Sequence, residues 1–240
     1  MRVKAVISYN GSHYQGFQRQ KSTSNTITTA IEEALHSLQI HSTITGSGRT
    51  DTGVHATGQV IHFDIPSFWD DLEKLKLRLN QKLVDISFKH LTPEREDFHA
   101  RFHAKKRIYR YLFKTVNPSV FEQPYVSYYS AFDAKLLMQA LEIFQGEHDF
   151  KLFHKTGSQN HTTVRTIYRT TYKSYHGYHL IYFEANGFLR SQVRMMVDAA
   201  MRCAQNTMTI NQLKEQLKCD KQHTTSLAPP YGLYLAKIIY

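Results

Sequence analysis

The hydrophobic periodicities of this chain run through one order of elements and then through it again. That order restricts the fold more than any single motif does. Strict alternation marks a half-buried strand, and recurrence every three or four residues marks an amphipathic helix. RVKAVISY sets Val3, Ala5, Ile7 and Tyr9 on one face against Arg2, Lys4 and Ser8 on the other. After a glycine-containing loop, Ile27, Ala30, Ile31, Ala34, Leu35 and Leu38 recur at helical spacing behind the cap candidates Asn25 and Thr26. STITG and GQVIHFDI follow as strands. PSFWDDLEKLKLRLNQKL is a second helix, its N-cap expected at Ser67 with the acidic Asp70 three residues on. DISFKHL closes the unit as a strand.

The order then repeats. RIYRYLFK is a strand with Tyr109, Tyr111 and Phe113 on one face, and DAKLLMQALEIFQG is a helix ended by Gly146. VRTIYRTTYKSY and YHLIYFEA flank His176-Gly177 as a hairpin. FLRSQVRMMVDAAMRCAQ is a helix with Leu189, Val193, Met196, Val197, Ala200 and Met201 as its apolar stripe, and GLYLAKIIY is the closing strand. Two successive β-α-β-β-α-β units predict an α+β protein of two tandem ferredoxin-like halves. They would share a largely antiparallel sheet, with helices on one face and a cleft between the halves. The expected division is 1–97, carrying the glycine-rich loop described below, and 98–240. The junction is placed at the polar TPERED with its Pro93. Asn117 to Ser130 and Lys155 to His161 read as surface loops.

Chemistry concentrates in GSGRTDTGVHATGQV, Gly46 to Val60. A dinucleotide fingerprint would need a third glycine where Asp51 stands, and a phosphate-binding P-loop would need Lys and Ser or Thr after Gly53, where Val54-His55 stand. A strand follows instead of a helix. Both nucleotide templates therefore fail. Two readings remain. The glycines Gly46, Gly48 and Gly53 serve turns with positive φ, and Asp51 is an ordinary turn-former. Alternatively the glycines hold up Asp51, which Arg49 keeps as a carboxylate, a state suited to a nucleophile or electrostatic stabiliser. No second carboxylate lies nearby for paired-carboxylate chemistry.

Thirty Lys and Arg against twenty Asp and Glu give a formal charge of +10, which favours a polyanionic partner. Arg101, Lys105, Lys106, Arg107 and Arg110 interleave with Phe102, Tyr109 and Tyr111, the mixture that grips backbone and base together. Cys203 and Cys219 form no CxxC pair, so neither a disulfide framework nor a zinc ribbon is expected. The first residues contain no apolar leader, and no run is long enough to span a bilayer, so a reduced, cytoplasmic, soluble protein is expected. His99 and His103 stand four apart in HARFH, but flanking alternation predicts extended chain there, which separates them; no metal site is expected.

GRTDTGVHATGQV resembles the signature of the tRNA pseudouridine synthase A family, with Asp51 at the family's aspartate. YNGSHYQGFQRQ, DFHARFHAKKRIYRY, ANGFLRSQVR and GLYLAKIIY are similar to family segments in place and order, so the resemblance covers the chain from end to end. It implies a homodimeric enzyme that isomerises uridine to pseudouridine in the anticodon stem-loop of tRNA, without metal or organic cofactor. Asp51 would be catalytic, and Tyr109, the first tyrosine of Tyr-Arg-Tyr, would stack on the flipped uracil. Arg49 would keep Asp51 ionised and fill the vacated stack. Lys105, Lys106, Arg107 and Arg110 are candidates for phosphate, and Arg194 for a cleft contact. Phe17 stands where the family usually has tryptophan, Thr52 where it has alanine, and Asp198 where a helix glycine is expected, which bears on Gln192 to Arg202. The rival reading is a non-catalytic RNA-binding module, against which stands the lack of an RNP motif.

Overall fold

The computed structural model describes residues 1–157 and 161–240. Contacts divide the chain into two compact units, Met1–Lys105 with Tyr234–Tyr240, and Lys106–Leu233.

In the first unit, β1 (Arg2–Tyr9) is the central strand. It pairs antiparallel with β3 (His55–Asp64) on one side and β4 (Ile86–Glu94) on the other. Its alternation is realised directly: Val3, Ala5 and Ile7 are fully buried and Tyr9 nearly so. The short β2 (Thr45–Gly46) adds to β3 opposite His62 and Ile61. Helix α1 (Ile27–His36) starts at Thr26, whose Oγ1 accepts from the amide of Thr29 at 3.2 Å. Helix α2 (Leu72–Lys82) is capped four residues later than the expected Ser67. Its cap is Asp71, which accepts from the amide of Lys74 at 2.9 Å. The reason is local: the amide of Trp69 donates to the carbonyl of Pro66, folding Ser67 into a turn, and the indole N–H anchors on Leu38 O at 3.0 Å.

The second unit has the strand order β5 (Lys106–Lys114), β9 (Tyr178–Ala185), β8 (Val164–Tyr175) and β7 (Gly146–Asp149), all antiparallel. The hairpin turns at His176 and Gly177, with φ of +47° and +76°. β6 (Ser127–Tyr128) pairs parallel with β5, so part of the expected loop at Asn117 to Ser130 is a strand. Helices α3 (Ala134–Ile143), α4 (Gln192–Ala204) and α5 (Ile210–Leu217) pack on one another. Tyr111, Phe113, Phe144, Phe150, Phe153 and Phe183 are fully buried. Each such side chain contributes roughly 1.5–3 kcal/mol relative to exposure.

The protein is thus a mixed α+β structure with mostly antiparallel strands. Two departures from the sequence reading bear on organisation. The polar stretch placed at the junction is partly β4, with Pro93 opposite Val3. It is tolerated because β4 lies at the end of the strand order. The closing strand, β10 (Leu233–Ile239), pairs parallel with β3 through Tyr234 opposite His55 and Leu235 opposite Ala56. Its residues from Tyr234 onward therefore belong with the first unit, whereas the sequence division assigned them to 98–240. Within Lys155 to His161, residues 158–160 lie outside the described part.

Candidate active site

The stretch from Ser47 to Val54 connects β2 to β3, and hydrogen bonds hold it on both sides of Asp51. The Ser47 amide donates to Val60 O at 2.8 Å, and its hydroxyl donates to Gln59 Oε1 at 2.6 Å. Gln59, fully buried, donates in turn from Nε2 to Gly48 O at 2.8 Å, so one side chain staples the loop to the strand that follows it. Thr50 is buried; its Oγ1 shares a hydrogen bond of 2.8 Å with the Tyr9 hydroxyl, and its carbonyl accepts from the Phe17 amide at 3.1 Å. Beyond Asp51, the Val54 amide donates to Asp51 O at 3.1 Å across a turn in which Gly53 has a φ of +77°. His55 is buried, accepts the Gly11 amide at Nδ1 over 3.0 Å, and stacks on Tyr234 with ring centroids 4.8 Å apart. Asp51 itself is half-buried and Thr52 exposed.

The glycines act differently from a set of turn-formers. Of Gly46, Gly48 and Gly53, only Gly53 has a positive φ. At Gly46 the constraint is space: a Cβ there would lie 2.5 Å from Cε1 of Phe17, whose ring is 5% exposed. Gly16 has a φ of +101°, and a Cβ on it would approach Thr50 O to 3.1 Å. The segment Tyr9 to Phe17 therefore lies directly against the backbone at Thr50. Tyr9, Phe17, His55 and Gln59 are the supporting residues to which pattern-reading gave no part in holding the loop; all four fall within the quoted motifs.

Arg49 is exposed at the edge of this loop. Loss of hydration first, and the charge of Arg101 second, lower its pKa, so the two guanidinium groups feel one another. Arg101 belongs to a turn. The His103 amide donates to His99 O at 3.1 Å, so the two histidines are neighbours on one turn of chain and HARFH is not extended. Beneath it, the Ala100 amide donates to His62 Nδ1 at 3.1 Å, and the Tyr240 hydroxyl donates to Ala100 O at 2.7 Å. Burial, then Arg2 and His99, push His62 down to about 4, which leaves its Nδ1 lone pair free to accept. Among the described residues no cluster of three or more His, Cys, Asp or Glu is disposed to hold a metal ion.

The other expected site residues lie elsewhere. Lys105 is exposed, its amide donating to Ile239 O at 2.8 Å. In the second unit, Lys106 places Nζ 5.2 Å from the Tyr168 ring centroid, and Arg107 donates to Asn186 O at 2.7 Å. Arg110 is half-buried on β5. Tyr109 is 7% exposed and meets Phe188 edge-on at 5.1 Å. Arg194 donates from Nε to Ala228 O at 2.7 Å. Arg107 and Arg194 thus each hold main chain in addition to carrying charge. A surface hollow of about 560 Å³ in the first unit is lined by Arg19 to Ser24 and by α1, and contains no residue of the Asp51 loop. No helix among the described residues is long and apolar enough to cross a membrane.

The family model described as tRNA pseudouridine synthase matches residues 5–103 and 140–240. The chain is 42% identical to a tRNA pseudouridine synthase A of Helicobacter hepaticus, covering 99% of this chain and 98% of that protein. It is 39% identical to the Wolinella succinogenes protein of the same name, over 98% and 93% of the two chains. With the Campylobacter jejuni protein of that name it shares 36% identity over the full length of both. Among solved structures, a chain of a Cbf5-Nop10-Gar1 complex matches with a TM-score of 0.35 and 11% identity over 83% of this chain and 45% of that one, a likeness too weak to speak for the fold. Matched at this identity from end to end, the chain belongs to the tRNA pseudouridine synthase family, isomerases that act on uridines of tRNA.

Proposed function

We propose that the protein isomerises uridines in the anticodon stem-loop of tRNA, with the Asp51 carboxylate as nucleophile and the target nucleotide flipped out of its stem. The observation that carries this reading is the immobilised backbone around Asp51. Tyr9, Phe17 and Gly53–His55 fix the chain on both sides, and the aspartate between them stays half-buried. Catalysis needs a reactive group held within a fraction of an ångström, and a loop tied at both ends supplies that.

The reaction breaks the N1–C1′ glycosidic bond, turns the uracil and joins C5 to C1′; the C5 proton leaves to solvent and N1 gains one. Two routes use one carboxylate. Asp51 attacks C1′ and is later displaced by C5, or it removes the C2′ proton to give a glycal and later returns it. Either needs the sugar exposed, and extruding a paired nucleotide costs a few kcal/mol. In this reading Arg49 fills the vacated stack, its planar cation suited to both base and phosphate. Tyr109 stacks on the uracil, an interaction worth about 1–3 kcal/mol. Lys105, Lys106, Arg107, Arg110 and Arg194 bind the RNA backbone. The reading extends to a cytoplasmic homodimer of chains built from two ferredoxin-like halves, with no metal or organic cofactor.

The test is release of tritium from tRNA labelled at uridine C5. Asp51→Asn is expected to abolish release by at least about a thousandfold while tRNA binding survives. Undiminished turnover in that variant sinks the reading.

A further inference from the structure

The turn at His99–His103 presents side chains that the chemistry at Asp51 leaves unused, and it presents them from a fixed base. Ala100 is fully buried, with its amide on His62 and its carbonyl on the Tyr240 hydroxyl. Phe98 is 7% exposed and packs against Tyr240, centroids 5.2 Å apart, and edge-on to His62 at 6.0 Å. The next two residues face water. Arg101 is exposed, and Phe102 is 74% exposed. Phe102 is nevertheless ordered by its surroundings: its ring stacks on His99 at 4.2 Å and 29°, and the Arg101 guanidinium lies 5.8 Å from its centroid. The His99 Nδ1 accepts the amides of Arg101 and Phe102 at 3.2 and 3.3 Å, which locks the stack to the turn.

We propose that Phe102 and Arg101 form a docking point for one unstacked nucleotide of the RNA substrate, the ring taking the base and the guanidinium its phosphate. This rests on the reading that the protein acts on tRNA. Aromatic rings beside cations bind single-stranded nucleotides because every base has a π-face and every linkage a charge. The surroundings suit an anion: Arg101 is close enough to Arg49 for the two to repel, and the chain as a whole carries +10. A phosphate between two such cations relieves that repulsion. Because Arg49 sits two residues before Asp51, the docking point lies on the same unit as the proposed nucleophile and would position RNA beside it.

The experiment uses the full-length protein and an anticodon stem-loop RNA, with affinity read by fluorescence anisotropy and turnover by tritium release. Phe102→Ala is expected to weaken binding by about tenfold or more, to raise KM and to leave kcat at saturating RNA unchanged. Phe102→Trp restores affinity to within about twofold, as a larger stacking face does. Arg101→Gln lowers the slope of log affinity against log salt by about one, whereas Phe102→Ala leaves that slope alone. Binding by Phe102→Ala or Arg101→Gln within about twofold of the parent overturns the proposal, and so does a tryptophan that fails to rescue. An acidic peptide competing as well as RNA of equal charge overturns it too. If the parent protein releases no tritium, the catalytic reading fails while the anisotropy arms still decide this one. If Asp51→Asn is inactive and Phe102→Ala binds normally, only this one fails.

Discussion

The phenol oxygen of Tyr9, at the end of the central strand, lies 2.8 Å from Oγ1 of Thr50, the residue before Asp51, in a fully enclosed hydrogen bond. Removing the hydroxyl in Tyr9→Phe leaves the buried Thr50 oxygen without that partner. The expected cost is about 1–2 kcal/mol of stability, read from urea unfolding. Because the bond sets the backbone before Asp51, the proposed nucleophile, kcat should fall while RNA affinity changes little. A variant that loses stability but keeps full kcat contradicts the positioning role.

Glycine substitutions separate the two sides of the loop. Gly16→Ala forces a side chain onto a φ of +101° and a Cβ to within 3.1 Å of Thr50 O and 3.4 Å of Thr52 N. It should destabilise by about 1–2 kcal/mol and lower turnover with it. At Gly48 a Cβ meets nothing within 4 Å and φ is not positive. Gly48→Ala should stay within about 0.5 kcal/mol of the parent. Paired thermal melts check both.

What could be read ahead of the structure follows from the range of the interactions concerned. Alternation located β1, β3, β5, β8 and β9, because a strand with one covered face prints its period locally. The same logic cannot name a strand's neighbour, so the last strand was given to the wrong unit. Ser67 and Asp71 are both competent caps, and the choice fell to Trp69 reaching Leu38. Helix α5 was overlooked although Thr209 and Gln212 spell a capping box, because it is only eight residues long. At HARFH, buried Ala100 and the preceding buried Phe98 mimic an alternating strand, yet the burial comes from a turn seated on His62 and Tyr240. Its glycine-flanked setting makes Asp51 a candidate from sequence alone; the contacts that hold its loop cannot be read that way, since their partners come from other parts of the chain.

His62 makes stability depend on pH in a defined window. Its folded pKa of about 4 is below the ordinary histidine value of 6.5, so the unfolded chain binds the extra proton first. Stability is therefore full above pH 6.5, declines as pH falls towards 4, and loses nothing further from this group below that. The full decline should be roughly 2 kcal/mol after allowance for partial solvent screening. His62→Asn keeps an acceptor near Ala100 without titrating, so its urea midpoint should fall less between pH 7 and 4 than the parent's. Equal declines would remove His62 from the account.

Asp198 occupies the position where a helix glycine was expected, and the structure gives it partners. Its Oδ2 accepts from Arg202 Nε at 2.8 Å and from the Thr224 hydroxyl at 3.2 Å, while Arg202 also donates to Ser226 Oγ at 3.1 Å. The side chain thus ties α4 to the 224–226 stretch. Asp198→Ala should cost about 1 kcal/mol, modest because Arg202 is partly exposed. It should also raise proteolytic cleavage near Thr224. Limited proteolysis followed by mass spectrometry checks the second effect, and an unchanged cleavage pattern counts against the tie.

Tyr234 on His55 and Ala236 beside Thr57 join positions as much as 179 residues apart. During synthesis the strand that follows the Asp51 loop therefore waits for its parallel neighbour until Leu233–Ile239 has been made. Gly58 lets that neighbour in, since a Cβ there would come within 2.3 Å of Ala236 O. A ribosome that stalls before Tyr234 leaves β3 without its parallel neighbour at His55 and Ala56, and His55 without its stacking partner. Maturation of the loop is thereby coupled to completion of this length of chain, so fragments released early lack the contact that finishes the candidate site.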